Sequence, residues 1–267
     1  MGLLAAWLAA LVLPGFSPWL TGPQGGEVLT GPMPGTDRPG VVYLPPGFSR
    51  GLRYPVVYLL HGMPGSPTEF VAGAGLLQWA DDSIADGSVP PFIAVMPAAG
   101  PRPQYNGEWA GPWEHALVDD VVPWVDRRLP TVANAAHRVL AGISAGGFGA
   151  ADIALRNPRV FGTVESWSGY FAPLHDGPFK HATTAELAAN DPRLLAHTAP
   201  VRRLRFFLST GPFHSHWFTP RQTVDFAHEL SRLGAPVRLL QLGSTKGEYT
   251  KQLATGLSWA LAGFKKP

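Results

Sequence analysis

Short, unbroken apolar runs separated by helical stretches constrain the fold of this chain more than any other feature of its sequence. Runs at residues 41–44, 55–60, 92–96, 138–143, 160–167, 204–208 and 237–242 are mostly continuous rather than alternating. A strand with one wet face alternates apolar and polar side chains, whereas a strand covered on both faces is apolar throughout. Helical spacing appears between the runs: within residues 111–129, Leu117, Val121, Val122 and Val125 share one side of a helix. Thr219 followed by Pro220 has the form of an N-cap with proline in the first turn, and Gly234 marks where that helix stops. Strand–helix alternation over most of the chain predicts an α/β fold with an open, doubly wound, mostly parallel sheet and helices on both faces. Residues 27–44 have no helix between their runs and are expected to form an antiparallel N-terminal edge. With no internal repeat and no linker, residues 26–267 read as a single domain.

Charge and cysteine content remove whole classes of function. Lys and Arg number 21 against 19 Asp and Glu, a net of +2, with no long run of one sign, so the basic stripe of a nucleic-acid binder is missing. The absence of cysteine excludes disulfides, thiolate metal sites and a cysteine nucleophile. The pairs Asp81-Asp82 and Asp119-Asp120 fall on predicted helices and fit solvated faces better than metal ligands. No metal constellation emerges, and no cofactor is expected. Residues Leu3 to Leu13 form an apolar run closed by Pro14-Gly15. That length suits a signal-peptide core rather than a bilayer span of about 20 residues, although no Lys or Arg precedes Arg38. Residues 1–25 are therefore expected to be a signal-like or membrane-anchoring segment, and the protein to be secreted or associated with the cell envelope.

Chemistry concentrates at one strand-to-helix turn. The buried run 138–143 leads into Gly142-Ile143-Ser144-Ala145-Gly146 and then an Ala-rich helical stretch that stops at Asn157-Pro158. Gly-x-Ser-x-Gly in that setting is the pattern of a nucleophile elbow, in which glycines let strand and helix close around a strained serine. A phosphate cradle of the Walker type would need Gly-Lys-Ser/Thr, which is absent. Acyl transfer also needs two N–H donors on the developing oxyanion, one after the nucleophile and one from the loop after an earlier strand. Run 55–60 ends in His61-Gly62-Met63-Pro64-Gly65, which makes Ala145 and Met63 the expected donors, since Pro64 has no N–H. His61 precedes the turn and reads as a group that braces the loop.

Together with Val42-Tyr43-Leu44-Pro45-Pro46-Gly47, Leu59-Leu60-His61-Gly62 and Ser166-Trp167-Ser168-Gly169-Tyr170, this turn resembles the putative-esterase family of α/β-hydrolases. That family includes esterase D-like enzymes, feruloyl esterases and the mycolyltransferase antigens. The resemblance spans roughly residues 40–261 and implies a serine acyl-enzyme mechanism with Ser144 as nucleophile. It also implies a location outside the cytosol and a small-molecule, lipid or sugar ester as substrate.

The chain departs from that family where the acid and the histidine belong. No Asp or Glu lies between Asp191 and Asp225, and no histidine follows His228. A serine without a base is a poor nucleophile at neutral pH. Three readings follow. The chain is a catalytically degenerate hydrolase kept as a binding or scaffold module. Alternatively, His214 or His216 is the base and Glu248 its orienting carboxylate, so that two loops exchange roles. In the third, the base is His175 or His181, or the oxyanion hole acts alone. Trp109, Trp167 and Tyr170 follow strands at the edge where ligands gather and are expected to line an apolar acyl or aryl pocket. The sequence is silent on oligomeric state.

Overall fold

A computed structural model describes residues 13–100, 107–212 and 219–264. Its strands are β1 (Ser17–Thr21), β2 (Glu27–Pro32), β3 (Pro39–Leu44), β4 (Val56–Leu60), β5 (Ile93–Met96), β6 (Arg138–Ile143), β7 (Thr163–Trp167), β8 (Arg205–Thr210) and β9 (Val237–Gln241). They form one sheet in the order β1-β2-β3-β5-β4-β6-β7-β8-β9. The β1–β2, β2–β3 and β3–β5 pairs are antiparallel, and every pair from β5 through β4 to β9 is parallel. The helices are α1 (Glu69–Ala72), α2 (Leu76–Ala85), α3 (Pro112–His115), α4 (Val122–Arg128), α5 (Ala145–Arg156), α6 (Thr184–Ala189), α7 (Pro192–Leu195), α8 (Pro220–Arg232) and α9 (Glu248–Leu261). None of the described helices is long and apolar enough to cross a membrane.

Burial on both faces explains the unbroken runs. Along β4, Val56, Tyr58 and Leu60 belong to the apolar cluster that also holds residues of α4, α5 and α8, while Val57 and Leu59 belong to the cluster on the other face with residues of α1, α2 and α9. All five are fully buried. Each buried aliphatic side chain contributes about 1.5–3 kcal/mol, so neither parity of the strand tolerates a polar residue. Run 160–167 becomes strand only at Thr163, because the Val160 N–H closes a turn on the Asn157 carbonyl at 2.9 Å. The helical stretch after Gly111 is interrupted by a π-helical segment, Ala116–Val121, in which the Val122 N–H reaches back five residues to Leu117. Pro123, without an N–H, could not donate to Asp119 in an α-helical ladder, and the wider turn accommodates it.

One helix-face expectation is overturned. Asp81 is buried, not solvated; its carboxylate accepts the Gln24 N–H at 2.9 Å, the Gly26 N–H at 3.1 Å and the Tyr43 hydroxyl at 2.9 Å. The β1–β2 turn has N–H groups that no strand can take up, and Asp81 satisfies them from α2. Asp82 and Asp119 are exposed, as solvated faces require.

β6 lies in the middle of the sheet, flanked by β4 and β7, and the tightest backbone packing is at its end. A Cβ on Gly142 would stand 2.8 Å from the Leu60 carbonyl oxygen. One on Gly146 would stand 2.8 Å from the His61 carbonyl oxygen and nearer still to that of Leu60. Both partners are backbone, so nothing can swing aside. Gly146→Ala is therefore expected to lower the unfolding free energy by at least about 3 kcal/mol in denaturant titration. Gly51→Ala, where the nearest atom is the Ser49 Oγ at 3.6 Å, is expected to stay within about 0.5 kcal/mol of the parent.

Candidate active site

Ser144 joins β6 to α5 with φ 54° and ψ −116°, a conformation that side-chain-bearing residues adopt only when their surroundings enforce it. The surroundings are backbone: the Ser144 N–H donates to the Trp167 carbonyl at 3.0 Å, and the Ser144 carbonyl accepts the Phe148 N–H at 3.0 Å. Ala145 is the first residue of α5, so its N–H has no partner within the helix and is available to a ligand. The half-buried serine thus stands at a helix N-terminus, where the dipole favours negative charge.

The loop after β4 is packed directly on that serine. A Cβ on Gly62 would lie 3.3 Å from the Ile143 carbonyl oxygen and 3.4 Å from the Ser144 Cβ, so Met63 follows within reach of the elbow. His61 braces the loop, as its place in the sequence suggests. Its Nε2 accepts the Ala99 N–H at 3.1 Å, which leaves the proton on Nδ1 to donate to the Gly62 carbonyl at 2.8 Å. Burial, with the Arg38 charge adding to it, pushes this imidazole down to about 4, so it is neutral at pH 7. Gly62 is held at its other end as well, its N–H donating to Glu69 Oε1 at 2.9 Å.

The three aromatics expected to form a substrate pocket are inside the protein instead. Trp167 is 0% exposed, donates its indole N–H to Glu165 Oε2 at 2.9 Å and meets Phe70 edge-on. Its parity as the last residue of β7 turns it under the sheet, toward α1 and α9. Trp109 is 2% exposed; it donates to the His61 carbonyl at 2.9 Å and packs edge-on against the His61 ring. Tyr170 is 4% exposed and stacked on Phe148, and its hydroxyl donates to the Glu108 carboxyl. Burial pushes Glu108 up to about 8, with the Asp176 charge adding to that effect. The space beside Ser144 is a cleft of about 360 Å³ walled by Met63, Glu69, Ala74, Ile143 and Tyr249. A second cleft of about 350 Å³, which shares Gly73 and Tyr249 with the first, is walled by Ser168, Thr245 and Glu248.

Glu248 opens α9 and is buried at the base of this second cleft. Its Oε1 accepts the Ser168 hydroxyl at 2.5 Å, and Ser168 Oγ in turn accepts from Gln252 Nε2 at 2.8 Å. The carboxylate is packed on Gly211 so closely that a Cβ there would displace it. Gly211 precedes His214 and His216 by three and five residues in the sequence, and both histidines fall outside the described residues. His175 and His181 are exposed. Among the described residues no side chain hydrogen-bonds the Ser144 hydroxyl. Sequence reasoning missed the roles of Ser168, Gln252 and Glu69; Ser168 stood within the stretch that carries the family resemblance, and Gln252 one helical turn beyond Glu248.

Comparison with known proteins gives the family and the fold. A family model described as "Putative esterase" matches residues 31–260. The chain is 39% identical over 133 residues to an endo-1,4-beta-xylanase/feruloyl esterase of Xylanibacter ruminicola, a match covering 45% of this chain and 18% of that protein. It is 28% identical over 242 residues to an esterase of Mycobacterium tuberculosis, covering 74% of this chain and 50% of that protein. The chain thus spans half or less of the length of these relatives. Among solved structures, a ferulic acid esterase superposes with a TM-score of 0.76 at 22% identity, covering 90% of this chain and 99% of that one. An S-formylglutathione hydrolase from Agrobacterium tumefaciens gives 0.73 at 16% identity, covering 92% and 97%. These likenesses show the α/β-hydrolase fold. The bracing role of His61 has its own check: its ring-nitrogen NMR shifts are expected to remain those of a neutral Nδ1–H tautomer from pH 8 down to pH 5, with protonation near pH 4.

Proposed function

The chain belongs to the putative-esterase family, and we propose that it hydrolyses or transfers a carboxylic acyl group through an acyl-enzyme on Ser144. The observation that carries this reading is the backbone conformation of Ser144, at the N-terminus of α5 with the Gly62–Met63 loop packed against it. In the first step Ser144 Oγ attacks the ester carbonyl carbon, and the carbonyl π electrons move onto oxygen. The N–H groups of Ala145 and Met63 donate to that oxyanion, which they bind more tightly than the ground-state carbonyl. The serine proton passes to an imidazole and from it to the departing alkoxide. The same imidazole then removes a proton from water, or from an acceptor alcohol, as that oxygen attacks the acyl group, and returns it to Ser144 Oγ as the bond between Oγ and the acyl carbon breaks.

The imidazole is His214 or His216, and Glu248 orients it. Glu248 supports this assignment because it is buried, hydrogen-bonded by Ser168, and packed on Gly211, three residues before His214 in the sequence. The acid then comes from the loop after β9 and the base from the loop after β8. Triads are defined by geometry and role rather than chain order, so such an exchange keeps the mechanism intact. Substrates are small-molecule, lipid or sugar esters, and the apolar run from Leu3 to Leu13 exports the protein or tethers it to the cell envelope.

Turnover of a short neutral ester tests the assignment. Ser144→Ala is expected to lower kcat by at least about 10³-fold, the His214→Ala/His216→Ala double variant by a similar factor, and Glu248→Gln by about 10²- to 10⁴-fold. A fluorophosphonate is expected to label Ser144 in the wild type. If the wild type is neither labelled nor active, the fold is retained for binding alone; if turnover survives loss of both histidines, the base is His175 or His181.

A further inference from the structure

We propose that Glu69 is a positioning residue for the oxyanion loop, fixing the peptide that presents the Met63 N–H to Ser144. The inference rests on the reading of Ser144 as nucleophile. The Met63 N–H shares its peptide plane with the Gly62 carbonyl and, in a trans peptide, points opposite to it. That carbonyl is held by His61 Nδ1–H at 2.8 Å, while the Gly62 N–H is held by Glu69 Oε1 at 2.9 Å. Gly62 has no side chain to restrict its backbone, so its two dihedrals are set by these two hydrogen bonds and by contact with Ser144.

Glu69 reaches this place by a return of the chain. Its own N–H donates to the Ser66 carbonyl at 3.1 Å, which folds the chain back toward Gly62. A Cβ at Gly65 would stand 2.6 Å from Glu69 Oε2 and equally close to the Gly62 carbonyl oxygen, so the loop is wrapped around the carboxylate. The half-buried carboxyl group still favours a hydrogen-bond donor, and the Gly62 N–H that satisfies it belongs to the loop that carries the oxyanion donor.

An N–H that engages only the oxyanion acts on the transition state, so its displacement changes kcat rather than KM. Turnover of a neutral acetate ester, inhibition by an arylboronic acid and the thermal midpoint are measured for wild type, Glu69→Ala, Glu69→Asp, Glu69→Gln and Ser144→Ala. Glu69→Ala and Glu69→Asp, the latter one methylene too short to reach Gly62, are expected to lower kcat about 10- to 100-fold with KM within about threefold. The boronic acid, which forms a tetrahedral adduct on serine, is expected to lose affinity by the same factor. Glu69→Gln keeps an acceptor for the Gly62 N–H and is expected to stay within about threefold of wild type in both readouts. If Glu69→Ala does not fold, Glu69→Asp and Glu69→Gln decide. The proposal is overturned if Glu69→Asp keeps full kcat, if kcat falls without loss of boronic-acid affinity, or if Gln is as damaging as Asp. Turnover that survives Ser144→Ala, or is absent from the wild type, overturns the nucleophile reading and this inference with it.

Discussion

Everything at the candidate site depends on a contact between backbones. The end of β6 and the first turn of α5 close on the β4 loop with no side chain at Gly142 or Gly146 and none at Gly62. Close packing of this kind is rigid, because neither partner can rotate away as a side chain would. It forces Ser144 into the left-handed region and turns its hydroxyl out of the sheet. It also brings two separate stretches of chain, residues 62–63 and 144–145, to the same point. The strain at Ser144 is small beside the apolar burial of the fully apolar, fully buried strand β4 next to it, which is why the sheet can enforce it.

Around that contact the structure divides its residues between chemistry and support. His61, Trp109, Tyr170 and Trp167 stand at strand ends and next to the elbow, yet all four are buried and hydrogen-bonded to backbone or carboxyl groups. Their work is to hold loops. Tyr170 and Trp109 secure the segment around Glu108, and Trp109 in turn closes over His61 and the β4 loop. The open space is left to small or short groups along one wall and to Tyr249 between the two clefts. Glu248 is the acidic group in the second cleft, and its place beside Gly211 couples the loop after β9 to the loop after β8.

The fold was legible because strands buried on both faces leave an unmistakable apolar record, and because Thr219-Pro220 and Asn157 mark helix ends by backbone chemistry. The strained turn at Ser144 was legible for a similar reason: glycines two residues either side of a serine are demanded by close approach, and close approach is local. What failed to show is non-local. Asp81 reads as a surface acid until the N–H groups of residues 24 and 26, more than fifty positions away, come to it. Trp167 reads as a pocket residue until the parity of β7 turns it under the sheet. Glu69 and Ser168 acquire meaning only from the peptide and carboxylate they meet, and no spacing rule announces either.

The central claim is that acyl groups pass through a covalent bond to Ser144. Mixing the protein with a slowly deacylating aryl ester, quenching in acid within milliseconds and measuring intact mass tests it most directly. The expected result is a burst of phenol accompanied by a mass increase equal to one acyl group, located by peptide mapping on the segment that contains Ser144. Phenol release without any acyl adduct, or an adduct on a different residue, would contradict it.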